Sequence, residues 1–196
     1  MKRKAVSYDF LIIFRNFLIE ILNYVGSVDC VKFSHDGRWI ASSSDNLIAI
    51  WDLVAGKVIH SMEVESSKGG SITSDTNSTL EFHPSEFLLA HTSRLHPLTV
   101  FDLHTMEKMY TEENHIINSS ERHLKFACGE DDTINVLTVS SDGLVIQDCN
   151  DGKLTSIKRF YNKWGDVGDI QIDKSGDIIV ASHKNNKMNV WTVGIS

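Results

Sequence analysis

From residue 27 onward, apolar and polar side chains alternate in short runs broken by turn residues, the period of two that marks half-buried β-strands. One apolar-polar-apolar run returns four times: Val31-Lys32-Phe33, Leu80-Glu81-Phe82, Leu124-Lys125-Phe126 and Ile170-Gln171-Ile172. Their starts lie 49, 44 and 46 residues apart. A second strand is expected after each, at Trp39-Ile40-Ala41, Phe87-Leu88-Leu89-Ala90, residues 134–139 and Ile178-Ile179-Val180-Ala181. A third ends in a dyad at a constant phase: Trp51-Asp52, Phe101-Asp102, Gln147-Asp148 and Trp191-Thr192. The dyad's aromatic ring is expected to close its strand against the next repeat, where it buries a large apolar area. Asp36-Gly37 and Ser44-Asp45-Asn46 stand where hairpins must reverse, with residue types that tolerate tight turns.

A period of 40–50 residues carrying three or four strands is the signature of a β-propeller, and 196 residues leave room for about four blades. The expected fold is therefore all-β, a partial β-propeller over residues 27–196, and the dyads with their turn residues resemble those of WD-repeat propellers. Its blades fall near 27–64, 79–112, 121–160 and 165–194. Asp45, Trp51, Asp52, Phe101, Asp102, Asp148 and Trp191 are its structural repeat positions. The Gly-His pair that opens such repeats is missing apart from Gly26, so the His–Asp bonding network should be incomplete. Residues 65–78, rich in Ser, Thr and Gly, read as a flexible surface insertion. An open arc of four blades exposes inter-blade faces and strand edges, so it is expected to self-associate or to belong to a longer polypeptide.

Residues 1–26 follow another rule. Phe10, Ile13, Phe14, Phe17, Leu18, Ile21, Leu22 and Val25 recur at helical spacing and predict an amphipathic helix over 9–24. Arg15 and Glu20 interrupt it, so no membrane span is expected. Such a helix covers an apolar edge of the strands or docks on a partner or membrane surface.

A formal charge of −7 argues against nucleic acid as a partner, because phosphate binding needs a basic face. The exception is local: Lys153, Lys158, Arg159 and Lys163 form a basic cluster between the third and fourth blades and could touch an acidic partner. Three cysteines without CxxC spacing read as reduced thiols rather than a disulfide framework or a zinc site. Neither a phosphate-binding loop nor a His-Glu-x-x-His is present, and the nine histidines read as loop or strand-end residues. No catalytic residues, metal or cofactor are assigned, and the chain is not expected to be an enzyme.

Two stretches go beyond architecture. Phe33-Ser34-His35-Asp36-Gly37-Arg38-Trp39-Ile40-Ala41-Ser42 with Ile50-Trp51-Asp52-Leu53 looks like an ordinary WD repeat. Glu81-Phe82-His83-Pro84-Ser85-Glu86-Phe87-Leu88-Leu89-Ala90 resembles the katanin WD-repeat regulatory subunit, the non-catalytic partner of the microtubule-severing ATPase. Trp164-Gly165-Asp166-Val167-Gly168-Asp169-Ile170 and Asn189-Val190-Trp191 are similar to the end of that family's propeller. The resemblance implies a scaffold that binds microtubules and the katanin catalytic ATPase in the cytoplasm, on the cytoskeleton at centrosome or spindle. In that family a helical domain after the propeller grips the ATPase, and Ser196 follows the last blade directly. The competing readings are a generic WD-repeat adaptor, for example in substrate recognition for a ubiquitin ligase, and a truncated fragment without independent function.

Overall fold

The computed structural model describes residues 28–44, 47–64, 78–93, 96–111, 122–128, 134–140, 143–150, 153–161, 166–172, 177–184 and 187–193. The predicted helix over 9–24, most of the 65–78 insertion, Asp45 and Lys163 lie outside them. Among the described residues, fifteen strands form four antiparallel sheets in which each strand pairs with its sequence neighbour. The first sheet holds β1 (Cys30–Phe33), β2 (Trp39–Ser44), β3 (Leu47–Asp52) and β4 (Lys57–Glu63). The second holds β5 (Thr79–Phe82), β6 (Leu88–Thr92), β7 (Thr99–Asp102) and β8 (Glu107–Thr111). The third holds β9 (Arg122–Cys128), β10 (Ile134–Ser140), β11 (Gly143–Asn150) and β12 (Lys153–Tyr161). The fourth has three strands among the described residues, β13 (Asp166–Ile172), β14 (Ile178–Lys184) and β15 (Lys187–Val193).

The first strands β1, β5, β9 and β13 lie side by side, so the sheets radiate from one line as propeller blades do. Three apolar layers fill the gaps. Ala41, Ile48, Ile50 and Met62 of the first sheet meet Leu80, Leu89 and Phe101 of the second. Ala90, Leu98 and Val100 meet Leu124, Phe126 and Val136. Leu137, Val139, Leu144 and Ile146 meet Ile170, Ile178 and Val180. Both faces of the middle strands are buried, which is why Trp39–Ser44 and Leu47–Asp52 carry near-continuous small and apolar runs rather than clean alternation.

The dyad aromatics face the other way from the sequence expectation. Phe101 packs into the layer against the preceding blade, and Trp51 packs with Ile40 and Ala49 on the face of the first sheet turned away from the second. The reason is pairing: Ile40 lies opposite Trp51 whereas Ala41 lies opposite Ile50, so the ring shares the face of Ile40. A register shift recurs just before the dyad in all three four-stranded sheets, at Ile50/Trp51, Val100/Phe101 and Ile146/Gln147. Such a bulge adds local twist where the outer strand must bend away.

The dyad aspartates build the next turn. Asp52 Oδ1 accepts from the Val54 and Ala55 N–H groups at 2.8 and 2.9 Å, and Asp102 Oδ1 from His104 N–H at 2.7 Å. Four residues after each, Gly56 and Met106 sit at φ 64° and 59°, the left-handed position that suits glycine and strains methionine. Between blades, Glu81 bridges two cations: Lys32 Nζ at 3.2 Å and Lys125 Nζ at 2.6 Å.

Candidate interaction cleft between the first two sheets

Two turns at one end of the first two sheets enclose the cleft. In the first, Ser34 Oγ donates to Asp36 Oδ1 at 2.6 Å, the Arg38 N–H donates to the same oxygen at 3.0 Å, and Gly37 takes φ 69°. The Ser34 hydroxyl, then the Arg38 N–H, hold the Asp36 carboxyl below its usual range. In the second turn, His83 does what an Asp does elsewhere. Its Nδ1 accepts from the Glu86 N–H at 2.8 Å and the Ser85 N–H at 3.2 Å, while Pro84 supplies a preset φ. An acceptor Nδ1 requires the neutral ring, and burial lowers the pKa accordingly, against the opposing pull of Glu86. The ring meets Phe126 edge-on at 4.9 Å.

Phe82, His83, Glu86 and Phe87 on one side and His35 and Trp39 on the other line a cleft of about 160 Å³. Small-molecule sites occupy roughly 300–1,000 Å³, so this one suits a side chain of a protein partner better than a metabolite. Its rim is aromatic: Trp39 and Phe87 lie 5.7 Å apart, Phe87 and His104 4.4 Å apart, and the Arg38 guanidinium sits 5.9 Å from the Trp39 ring. Phe87 remains 45% exposed, an apolar ring offered to solvent. The Trp39 indole N–H is buried without an acceptor among the described residues.

Acid sensitivity follows from His83. A base with a lowered folded pKa contributes its stability above the ordinary 6.5, and that stability is lost as pH falls through the lower folded value. Asp36, Asp52 and Asp169, also lowered, lose theirs only below 3.8. Melting temperature should therefore start to fall below about pH 6.5. His83→Asn, whose amide oxygen replaces the Nδ1 acceptor, should flatten that upper step and leave the acid limb intact. Equal slopes for the two proteins across the upper step would refute this assignment.

A second polar cluster lies inside the same pair of sheets. Ser78 Oγ donates to Ser43 Oγ at 2.7 Å and is 2.9 Å from His91 Nε2; Ser93 Oγ is 2.7 Å from His96 Nδ1. The two imidazoles stand 5.8 Å apart. Each Ser–His pair has the spacing of a nucleophile and its base, but all five residues are almost wholly buried and no substrate could reach them. The cluster is an inter-blade polar network. It corrects two expectations: Ser78 is a buried anchor rather than the end of a surface loop, and His91 lies within β6 as a core residue.

The repeat positions are dispersed through the blades. Trp51 is fully buried, its Nε1 donating to Ser42 Oγ at 3.0 Å; Asp52 faces Arg38 at 3.5 Å; Phe101 is buried; Asp148 lies on β11 opposite Asn135; Trp191 lies on β15 opposite Val180. Lys153, Lys158 and Arg159 fall along β12, the outer strand of the third sheet, rather than between blades. Burial raises both thiol pKa values, Cys30 upward and Cys149 to about 12, so neither is a ready nucleophile. Among the described residues no group of three metal-ligating side chains converges, and no helix is long and apolar enough to cross a membrane.

The sequence profile of the WD domain, G-beta repeat, matches residues 20–52, which include the first three strands of the first sheet. No curated protein sequence matches the chain. Among solved structures, the computationally designed Ika4 protein is 17% identical, with 86% of this chain and 92% of that one aligned at a TM-score of 0.58. U3-55K is 16% identical with a TM-score of 0.64, and a chain of the mitotic checkpoint complex 15% identical with 0.62. Each alignment covers 85% of this chain but 49% of the other, so this chain spans about half their length. At these identities the likeness is one of fold alone, a β-propeller arc, and the profile match marks the first blade as a WD repeat.

Proposed function

We propose that this chain is a non-catalytic interaction scaffold that targets or regulates microtubule severing, in the manner of the katanin regulatory subunit. One observation carries the reading. The run Glu81 to Ala90, which carries the resemblance to that subunit, supplies Phe82, His83, Glu86 and Phe87 to the wall of the open aromatic cleft. A run that served packing alone would keep Phe87 inside. The cleft takes an apolar side chain of a partner, with Asp36 and Glu86 favouring a basic neighbour beside it. Lys153, Lys158 and Arg159 on β12 supply the basic edge for the acidic microtubule surface. The katanin catalytic ATPase is the partner the resemblance suggests for the assembly, in the cytoplasm on centrosome or spindle.

Co-pelleting with polymerised tubulin tests this. The chain is expected to pellet at low salt, to be released as salt screens the contact, and to pellet several-fold less as K158E/R159E. No pelleting at low salt would refute the microtubule reading and leave a generic WD-repeat adaptor.

A further inference from the structure

The four repeats provide an internal standard for what each position buries. Third-strand residues Ile50, Val100 and Ile146 are fully buried, but their counterpart in the last blade, Val190, is 63% exposed. Ile48, Leu98 and Leu144 are likewise buried, whereas Met188 is 70% exposed. On the opposite side of the blade, Leu80 and Leu124 are buried against the preceding sheet, whereas Val31 of the first blade is 44% exposed. Phe82, Phe126 and Ile170, each in the row of its dyad residue, are covered too, and Phe33 in the same row is 58% exposed. The exposed residues are therefore the two halves of one further inter-blade layer, of the kind the chain already makes three times. One half lies on the outer face of the fourth sheet and the other along β1. Ile40 and Trp51, counterparts of Leu89 and Phe101, are already buried within one copy, so the remaining contact falls on the inner strand.

Charge points to the occupant. Across the inner strands the signs alternate: Lys32, Glu81, Lys125, with Glu81 bridging its two neighbours. By strand pairing Asp169 of β13 holds the same place, opposite Ala181 and Val190 as Lys32 is opposite Ala41 and Ile50. Burial disfavours its charge, but Gln171 and the Ile170 N–H, with His123 and Lys125, favour it. Asp169 shares the exposed outer face with Val190, since both lie opposite Ala181. The next partner in this series is a cation on an inner strand between apolar residues, which describes Lys32 between Val31 and Phe33 in another copy of the chain.

We infer that two copies of this chain associate head to tail, the fourth sheet of each seated on the first sheet of the other, closing an eight-sheet ring with two identical interfaces. An even number of alternating charges closes without placing like signs side by side, and each sheet then has two neighbours. The inference rests on exposed faces and not on the microtubule reading, so tubulin binding can fail without touching it.

Light scattering on the full 196-residue chain during size-exclusion chromatography tests it. The expected mass is twice 22.0 kDa, falling to that of one chain on dilution. V190E and F33D, both at exposed positions, should each be monomeric with unchanged circular dichroism. Mixed together they should recover a dimer, because F33D keeps an intact fourth sheet and V190E an intact first sheet. A wild-type monomer at every concentration overturns the proposal. A dimer that survives F33D also overturns it, by revealing a contact between two like faces. An open-ended series of masses overturns the closed ring. In each variant a circular-dichroism spectrum matching the parent shows that the mass change reports the interface and not unfolding.

Discussion

Replacing Trp51 with alanine is expected to lower the unfolding free energy by about 3–5 kcal/mol, the usual cost of deleting a fully buried aromatic side chain. Against a total of about 5–15 kcal/mol for a native domain, that is enough to leave much of the chain unfolded at physiological temperature. Two losses combine. The indole fills the space between Ile40, Ala49, Leu53 and Val58, and its N–H is the donor to the buried Ser42 hydroxyl. Trp51→Phe separates them: most of the volume stays, the hydrogen bond goes, and the loss should shrink to about 1–2 kcal/mol. Urea unfolding followed by circular dichroism measures both. A cost below about 1 kcal/mol for the alanine variant would mean that the ring is dispensable to the blade.

The second large effect belongs to the Ser78–His91 pair. Ser78→Ala removes the hydroxyl that meets His91 Nε2, and His91→Leu leaves the Ser78 hydroxyl its bond to Ser43 but takes away the imidazole, so each should cost about 1–3 kcal/mol. The double variant removes both partners and should cost less than the sum by about 1 kcal/mol or more. Strict additivity in the same urea experiment would show that the two groups do not interact. Because Ser78 also reaches Ser43 of the neighbouring sheet, the loss reports on how firmly the first two blades hold together.

The strands were legible in the sequence because they depend on local alternation. The apolar-polar-apolar runs, the middle strands and the dyads all fall on the strands that the pairing defines, and the dyad aspartates cap turns as short polar side chains do. What depends on register was less legible. A shift at Ile50/Trp51 and the choice between Ile40 and Ala41 as neighbour decide which blade the tryptophan meets, and alternation alone is symmetric between the two faces. What depends on distant pairs was not legible. Ser78 stands in a stretch whose composition is that of a loop, and its burial comes from Ser43, 35 residues earlier, and His91, 13 residues later. The cleft was half visible: Glu81 to Ala90 stood out as a run, but its closure against Trp39 is a contact between sheets. The signal that could have found it is Phe87, an aromatic beside a Pro-containing turn at a position where the first blade has Arg38.

The meander, in which every strand pairs with the one before and after it in sequence, has a consequence for how the molecule comes apart. Contacts within a sheet are local and close small loops, so a sheet can form on its own schedule, while the apolar layers couple it only to its immediate neighbours. Stability then behaves as a short one-dimensional chain of coupled units. Within a single copy the second and third sheets each draw on two apolar layers shared with another sheet, and the first and fourth draw on one. Losing an outer unit shortens the array, but losing either inner unit severs the coupling between what remains. The fourth sheet, with three strands in view and a single apolar layer at its back, is the natural point at which melting begins.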